Sequence, residues 1–468
     1  MPQPTMGLSP RKPIGRHGEI RGLESSTRSD QLDGRFGRMF RTLPAAQFDA
    51  GILHDLAAAM TADFEAVPTL ETVVDDEENT GISAGYTYLG QFIDHDLTFD
   101  PASSLQRQDD PGALVDFRTP RFDLDNVYGR GPDDQPYLYH SDGLRMLQGD
   151  PLTGNADDPK ARGVPRNTPE PGEPARALLG DPRNDENVIV SQLQASMLRF
   201  HNRMVDALVS TDFEHVQRQV RWHYQWVVLH DFLPTIVGLD TLRAIFGTAK
   251  DGGVDYSQAP TLKFYLPKKQ AYMPVEFSVA AYRFGHSMVR PIYRLNQSID
   301  RLPIFSTTGE SLVGFRKFPT NWAIDWNLYF KTGDPPPLGP KRVQPAYKID
   351  TSLVNPLGSL PASVAVNPSV LAERNLLRGW RMSLPSGQAV AKAMGQTPID
   401  DANLKVGKAN EADSPTEKSI TAISPKFSGS ARFGFTYCPK RNSNSRRMTL
   451  RFAWGLSEAA SSRKSLSD

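Results

Sequence analysis

The stretch NVIVSQLQASMLRFHNRMVDALV, residues 187–209, decides the fold class. Val190, Leu193, Met197, Phe200, Met204 and Leu208 recur at three- and four-residue spacings, the period of one helix face. Arg183-Asn184-Asp185-Glu186 stands just before it. Capping side chains and acids thus lie at the end where a helix presents free N–H groups and partial positive charge. The pattern predicts a helix from Asn187 to Val209. Working outward, a second helix is predicted from His215 to Phe232, stopping at Pro234. A third is predicted from Pro274 to just before Pro291. It is apolar or aromatic on several faces, as expected of a core helix. A further helix is expected in the 380s, after Leu384-Pro385. Residues 332–370 are rich in Pro and read as loop. Residues 100–182, rich in Asp, Pro and Gly, read as loops with short elements. No internal repeat is found, and no strand pair joined by a hairpin turn. The expected class is mainly α: a single large helical domain with long loops and little β.

Composition narrows the possible roles. The chain has 468 residues, with 53 Lys plus Arg against 53 Asp plus Glu. No basic field points to nucleic acid and no polybasic patch to a membrane surface. The apolar runs fall short of a membrane span. Residues 1–40 carry many Arg, Gly and Pro without a period and read as an extended arm. Its first part, Met1 to Gly22, lacks the apolar core of a secretory signal. Cys438 is the single cysteine, so no intrachain disulfide is possible and a reducing compartment fits.

Three short segments carry chemistry. In Gly90-Gln91-Phe92-Ile93-Asp94-His95-Asp96-Leu97-Thr98-Phe99, a helix would place Gln91 and His95 on one face, with Asp94 beside Gln91. By itself, a His between two Asp suggests a metal site or a surface acid cluster. In Ala281-Tyr282-Arg283-Phe284-Gly285-His286-Ser287, Arg283 lies one turn from His286 in an apolar helix. A cation and a ligand-type group on one side of a core helix call for an anionic or metal partner. Asn375-Leu376-Leu377-Arg378-Gly379, alone, means no more than a loop or a helix end.

Together these segments resemble the animal (myeloperoxidase-like) haem peroxidase family, from about residue 40 to about 430. The few cysteines and the short chain resemble its bacterial members. The resemblance implies a haem b cofactor, hydrogen peroxide as oxidant, and a halide, pseudohalide or small aromatic donor. It implies that His95 is the distal base moving a proton between the two peroxide oxygens. Gln91 would hold distal water or halide. Arg183 would stabilise negative charge as the O–O bond breaks. His286 would be the proximal iron ligand, with Asn375 accepting its other ring N–H. Arg283 and Arg378 would meet the propionates. Asp94 and Glu186 match carboxylates that become ester-linked to haem in mammalian members. Asn187 stands where myeloperoxidase has a methionine bonded to a haem vinyl, so that link cannot form. Bromide, iodide, thiocyanate or phenols are therefore expected rather than chloride. The family's calcium site maps onto Thr119, the Arg121 carbonyl, Asp123 and Asp125 in residues 119–129, together with Asp96. Hard cations favour such closely spaced oxygens.

Two other readings belong beside this one. Fatty-acid dioxygenases of the same superfamily place a radical-forming Tyr three residues before the proximal His. Here that position is Arg283, and Tyr282 is one place off, a turn of roughly 100° on a helix. A catalytically impaired haem binder is the other reading, because residues 431–468 form an atypical tail. The family continues with a segment like Pro-Leu-Trp-Tyr-Tyr-Ile-Leu and a Gly-x-Val-Gly-x-Arg-Ile-Val helix. Residues 432–443 read RFGFTYCPKRNS. Back-translated with permissible codons and read one nucleotide earlier, the tail gives Pro-Leu-Trp-Phe-Tyr-Ile-Leu and later Gly-Leu-Val-Gly-Ser-Arg-Val-Val. The tail is thus expected to be out of the ancestral frame, poorly packed and away from the haem pocket. Lost C-terminal helices would cost several kcal/mol against a total of about 5–15.

Overall fold

The computed structural model, which describes residues 34–63, 77–100, 115–267, 271–306, 309–408 and 417–431, is mostly helical. Its α-helices are α1 (Ala50–Met60), α2 (Ala84–Leu97), α3 (Asp125–Tyr128), α4 (Val188–Leu208), α5 (Phe213–Val227), α6 (Leu233–Val237), α7 (Leu239–Phe246), α8 (Val275–Ser278), α9 (Leu371–Arg381), α10 (Gly387–Ala393) and α11 (Ile420–Ile423). The strands are very short: β1 (Gly34–Gly37), β2 (Glu78–Ser83), β3 (Val115–Asp116), β4 (Met273–Pro274), β5 (Ile292–Tyr293), β6 (Leu302–Pro303), β7 (Pro345–Tyr347), β8 (Lys405–Val406) and β9 (Lys418–Ser419). β1 pairs antiparallel with β3 and parallel with β4, while β2–β7, β5–β6 and β8–β9 pair antiparallel. Such strands tie loops together rather than build a layer. Among the described residues, no helix is long and apolar enough to cross a membrane.

The helix read from residues 187–209 is α4. Asn187 is its cap, the side-chain oxygen accepting from the Ile189 and Val190 amides. Asp212 caps α5 in the same way, from Glu214 and His215. Pro234 does not stop the chain there. Residues Val228–Phe232 form a wide π turn and α6 runs on to Val237, with Pro234 in its first turn. Proline needs no N–H partner in a first turn, and the wider turn relieves the ring's clash with the preceding carbonyl.

The segment 274–290 departs further from the expected continuous helix. It is the single turn α8 followed by a 3-10 stretch, Ala281–Met288. Ala280, at φ −135° and ψ −67°, leaves the helical region between them. Aromatic residues and Gly285 have poor helix propensity, and the tighter 3-10 winding continues until Val289. Conversely, Asn375 sits inside α9 rather than in a loop.

Two apolar clusters meet along α2 and α4. Phe92, Ile93, Leu97, Val190 and Leu198 belong to one cluster with Phe122, Val220 and Phe232. Ala84, Tyr88, Val188 and Ile189 belong to the other, with Leu53, Leu56, Trp322 and Leu376. Fully burying such a side chain contributes about 1.5–3 kcal/mol. α2 packs on α4 and on the 281–288 stretch. The segments singled out by their chemistry are therefore brought together by the core itself.

His201, on α4, is buried away from them. Its Nε2 lies 2.8 Å from the Leu144 carbonyl and its Nδ1 is 3.1 Å from the Tyr128 hydroxyl. Burial, and then Arg145, push its pKa down to about 4. The folded state thus refuses a proton that the unfolded chain accepts below its ordinary 6.5. Stability should be unaffected by this group above pH 6.5. It should fall by about 1.4 kcal/mol per unit as the pH drops toward 4. Denaturant unfolding of the parent and of His201→Gln at pH 7, 5.5 and 4.5 checks this. Equal pH slopes for the two chains would refute it.

Candidate active site

A cavity of about 340 Å³ lies between α2, the 183–186 segment and the 281–288 stretch. Gln91, Asp94, His95, Arg183 and Glu186 line it on one side, and Tyr282, Arg283, Gly285 and His286 on the other. Phe232, Ile236, Met288, Val289 and Leu371 add apolar surface. Tyr282 donates its hydroxyl hydrogen to the Gly90 carbonyl at 2.9 Å, tying the two walls together.

The wall built on α2 is held from behind. His95 is 4% exposed. Its Nδ1 lies 2.7 Å from Asn184 Oδ1 and its Nε2 is 3.6 Å from Glu186 Oε1. Gln91 donates to Glu186 and accepts from Asn187 Nδ2 at 3.0 Å. Arg183 is gripped by Asp181 through Nε and Nη2, at 3.1 and 2.8 Å. Its Nη2 also reaches the His95 and Thr98 carbonyls, at 3.2 and 2.5 Å, and its guanidinium lies 4.6 Å over the Phe99 ring. Arg118 shares Asp181, 2.7 Å from its Nη2. Burial works against the Arg183 charge, but Asp181, with Asp94 and Glu186 behind it, raises its pKa overall. Asp181 itself is buried, yet the two arginines hold its carboxyl well below the usual range. The backbone of 185–188 is clamped by residues 312–315. The Gly314 amide donates to Glu186 O at 2.9 Å and the Phe315 amide to Asp185 O at 2.7 Å. A Cβ at Gly314 would fall 1.8 Å from Asp185 O, so only glycine permits this approach.

The other wall carries His286, half-buried. Burial and then the Arg283 cation push its pKa down to about 3, against the pull of Asp94. The imidazole is neutral at any physiological pH, the form that binds a metal. Asn375, on α9, places its side-chain amide 2.9 Å from His286 Nδ1 with the nitrogen inward. A half turn of that amide exchanges its nitrogen for its oxygen. The group can therefore serve either ring tautomer. Arg283 donates from Nε to Ser278 O at 3.0 Å and lines the cavity. Arg378 is not among the lining residues and pairs with Asp100 at 3.1 Å.

The oxygen-rich loop sits under α2. Thr119 Oγ1 donates to Asp123 Oδ2 at 2.5 Å. Asp125, 1% exposed, begins α3. Leu124 between the two acids takes φ 59°, a left-handed value unusual for leucine, which turns the chain sharply there. Asp96 is fully buried, and among the described residues neither of its carboxylate oxygens has a hydrogen bond of good geometry, although the Leu124 amide and the Tyr224 hydroxyl lie near. Burial and then the Asp123 carboxylate push its pKa far above the ordinary value. Among the described residues, no three His, Cys, Asp or Glu side chains already converge on one point as a metal site.

The model of the animal haem peroxidase family matches residues 103–312 of this chain. That stretch contains Arg183, Glu186 and His286. Over residues 103–312 the chain is thus similar to the animal haem peroxidase family. Thyroid peroxidase of Rattus norvegicus is 28% identical over 189 residues, covering 37% of this chain and 19% of that protein. Thyroid peroxidase of Sus scrofa is 32% identical over 142 residues, covering 28% and 14%. The chain thus spans less than a fifth of the length of these relatives. Peroxidase A from Dictyostelium discoideum shares the fold, with TM-score 0.55 and 16% identity over 92% of this chain and 87% of that one.

The family whose model matches binds haem, and the cavity offers a fitting set of groups for it. His286 is a neutral imidazole, Arg283 is a cation for an acidic edge, and the apolar residues suit a flat ring. The sequence reading missed the groups behind His95: Asn184, Gln194, Asp181 and Arg118. Their signal was weak, because polar residues near a helix start read first as caps.

Proposed function

We propose that this chain is a haem peroxidase that reduces hydrogen peroxide and oxidises a halide, pseudohalide or small aromatic donor. The observation that carries the reading is one cavity lined by both His95 and His286, with Gln91 and Arg183 on the His95 side. His286 would hold the haem, and Arg283 would meet its carboxylates. Asn375 turns its oxygen toward the ring N–H and sets how strongly the imidazole donates. Bound there, haem would supply the redox chemistry that O–O cleavage needs. His95 takes the proton from the near peroxide oxygen and returns it to the departing one. Arg183 keeps Nη1, which makes no hydrogen bond among the described residues, for the negative charge that develops. Gln91, fixed by Glu186 and Asn187, places water or halide. Asp94 and Glu186 both line the cavity, which supports a capacity for ester links to haem. Asn187 is engaged as a helix cap and offers no sulfonium link, in keeping with bromide, iodide, thiocyanate or phenolic donors. Arg378, engaged by Asp100, is a weaker candidate for a propionate than Arg283. The dioxygenase reading lacks its tyrosine, since Arg283 stands three residues before His286.

The orphaned oxygens of Asp96 beside Asp123 support a bound calcium ion, with Thr119, the Arg121 carbonyl and Asp125 as further oxygen donors. Such an ion would fasten the 119–129 loop to the helix that carries His95. At free calcium 100 times Kd, binding stabilises by about 2.7 kcal/mol. Chelator is therefore expected to lower the Tm of the parent but not of Asp96→Asn, with calcium restoring the parent alone. A parent whose melting ignores both chelator and calcium would remove the ion from the proposal.

The peroxidase reading is tested by an absorption spectrum of the chain expressed with haem, followed by peroxide assays with guaiacol and with bromide. A ferric Soret band with turnover of either donor is expected. A Soret band without turnover would sink the catalytic reading and leave a haem binder.

A further inference from the structure

The 2.7 Å contact between His95 Nδ1 and Asn184 Oδ1 does not by itself say which ring nitrogen holds the proton. Nor does it fix which way the amide faces, because an amide's two ends exchange on a half turn. The bonds behind it decide both. Asn184 Nδ2 lies 2.9 Å from Gln194 Oε1. Gln194 Nε2 lies 3.4 Å from the backbone carbonyl of Asn126. A backbone carbonyl can only accept. Gln194 must therefore give it the NH₂ end and turn its oxygen to Asn184. Asn184 must then give Gln194 its NH₂ end and turn its oxygen to His95. An oxygen there requires a hydrogen on Nδ1, so in the neutral ring Nε2 keeps its lone pair. That nitrogen is the one 3.6 Å from Glu186, a residue of the cavity lining.

The relay is shielded from bulk solvent. Asn126, Asn184 and Gln194 are each 0% exposed. Its far end is also anchored to the helix that bears His95, because Asn126 Nδ2 donates to the Phe92 carbonyl at 3.0 Å. Reversing either amide would set acceptor against acceptor or donor against donor in a buried site, where unmade hydrogen bonds are costly.

We infer that Asn184, held in one orientation by Gln194, is the positioning residue that fixes His95 as its Nδ1–H tautomer with the basic nitrogen aimed into the cavity. This rests on the reading of His95 as the proton carrier. A base with the wrong nitrogen protonated has no lone pair to offer peroxide, whatever its distance.

The test reads the tautomer directly. The full-length chain without haem, labelled with ¹⁵N in histidine only, gives ring ¹⁵N signals that distinguish the two forms. His95 is assigned by its loss in His95→Gln. The expected result is Nδ1–H for the parent, and a mixture of tautomers for Asn184→Ala and for Gln194→Met. Gln194→Met leaves Asn184 in place but frees it to turn, so it serves if Asn184→Ala does not fold. With haem bound, kcat/KM for hydrogen peroxide should fall about 10- to 100-fold in both variants, the size of loss seen when a partner that orients a metal-ligating histidine is removed, although His95 itself binds no metal. The Soret band should be kept. A parent proton on Nε2, or variants that retain the parent tautomer, would overturn the inference. If the tautomers behave as expected but the parent turns over no peroxide, the inference stands and the peroxidase reading fails.

Discussion

Haem added to the His286→Ala chain is expected to give no ferric Soret band, and peroxide turnover should be undetectable. The reason lies in how the imidazole is prepared. Its pKa is pushed down to about 3, first by burial and then by Arg283. If His286 is the iron ligand as proposed, no proton would compete with iron for the ring at neutral pH, and the cost of keeping the imidazole neutral is already met. Removing the ring leaves Arg283 facing the cavity without a ligand beside it and Asn375 without its 2.9 Å partner. Nothing else on the 281–288 stretch replaces a nitrogen donor. Titrating haem into parent and variant, followed at the Soret band, measures the loss. Imidazole added to the buffer should restore the band in the variant by occupying the vacated space. A variant that binds haem as the parent does would mean that another residue holds the iron.

The parts of this molecule legible in its sequence are those governed by local periodicity or by short motifs. α4 was readable because a 3.6-residue period repeats over six turns. The mainly helical class followed from it. The motif around Gln91 and His95 and the one around Arg283 and His286 were legible as chemistry, and their convergence on one cavity is a property of the fold. What was not legible depended on tertiary context. The 281–288 stretch has the apolar character of a core helix, yet one side of it walls a cavity and the chain winds as a 3-10 helix there. Pro234 ought to end a helix, but a π turn absorbs it. Asn375 carried no local signal, because its partner His286 is 89 residues away. Gln194 looked like an ordinary polar position of α4, and only the paths of α2 and α3 turn it into a link between Asn126 and Asn184. The tail reading on residues 432–468, and the arm up to residue 33, lie outside the described residues.

His95→Ala should leave the Soret band in place and lower kcat/KM for hydrogen peroxide by about 10²- to 10⁴-fold, the usual contribution of a positioned general base. The separation of the two effects follows from which wall each residue stands on. Among the described residues, the His95 side chain makes its polar contacts with Asn184 and Glu186 and none with the His286 wall. Its backbone carbonyl, which Arg183 and Arg118 use at 3.2 and 3.3 Å, survives substitution by alanine. Arg183 therefore keeps its grip on Asp181 and its place at the cavity, and so retains its electrostatic share of catalysis. Gln91 and Glu186 keep their mutual hydrogen bond as well. The loss should thus be confined to proton transfer. Water can carry that proton, but without a fixed geometry. Rapid-mixing measurement of the peroxide step separates this from donor oxidation, which should be slowed far less. A fall confined to donor oxidation, with the peroxide step unchanged, would place the proton carrier elsewhere. Glu186, whose carboxylate lies 3.6 Å from His95 Nε2, would then be the residue to substitute.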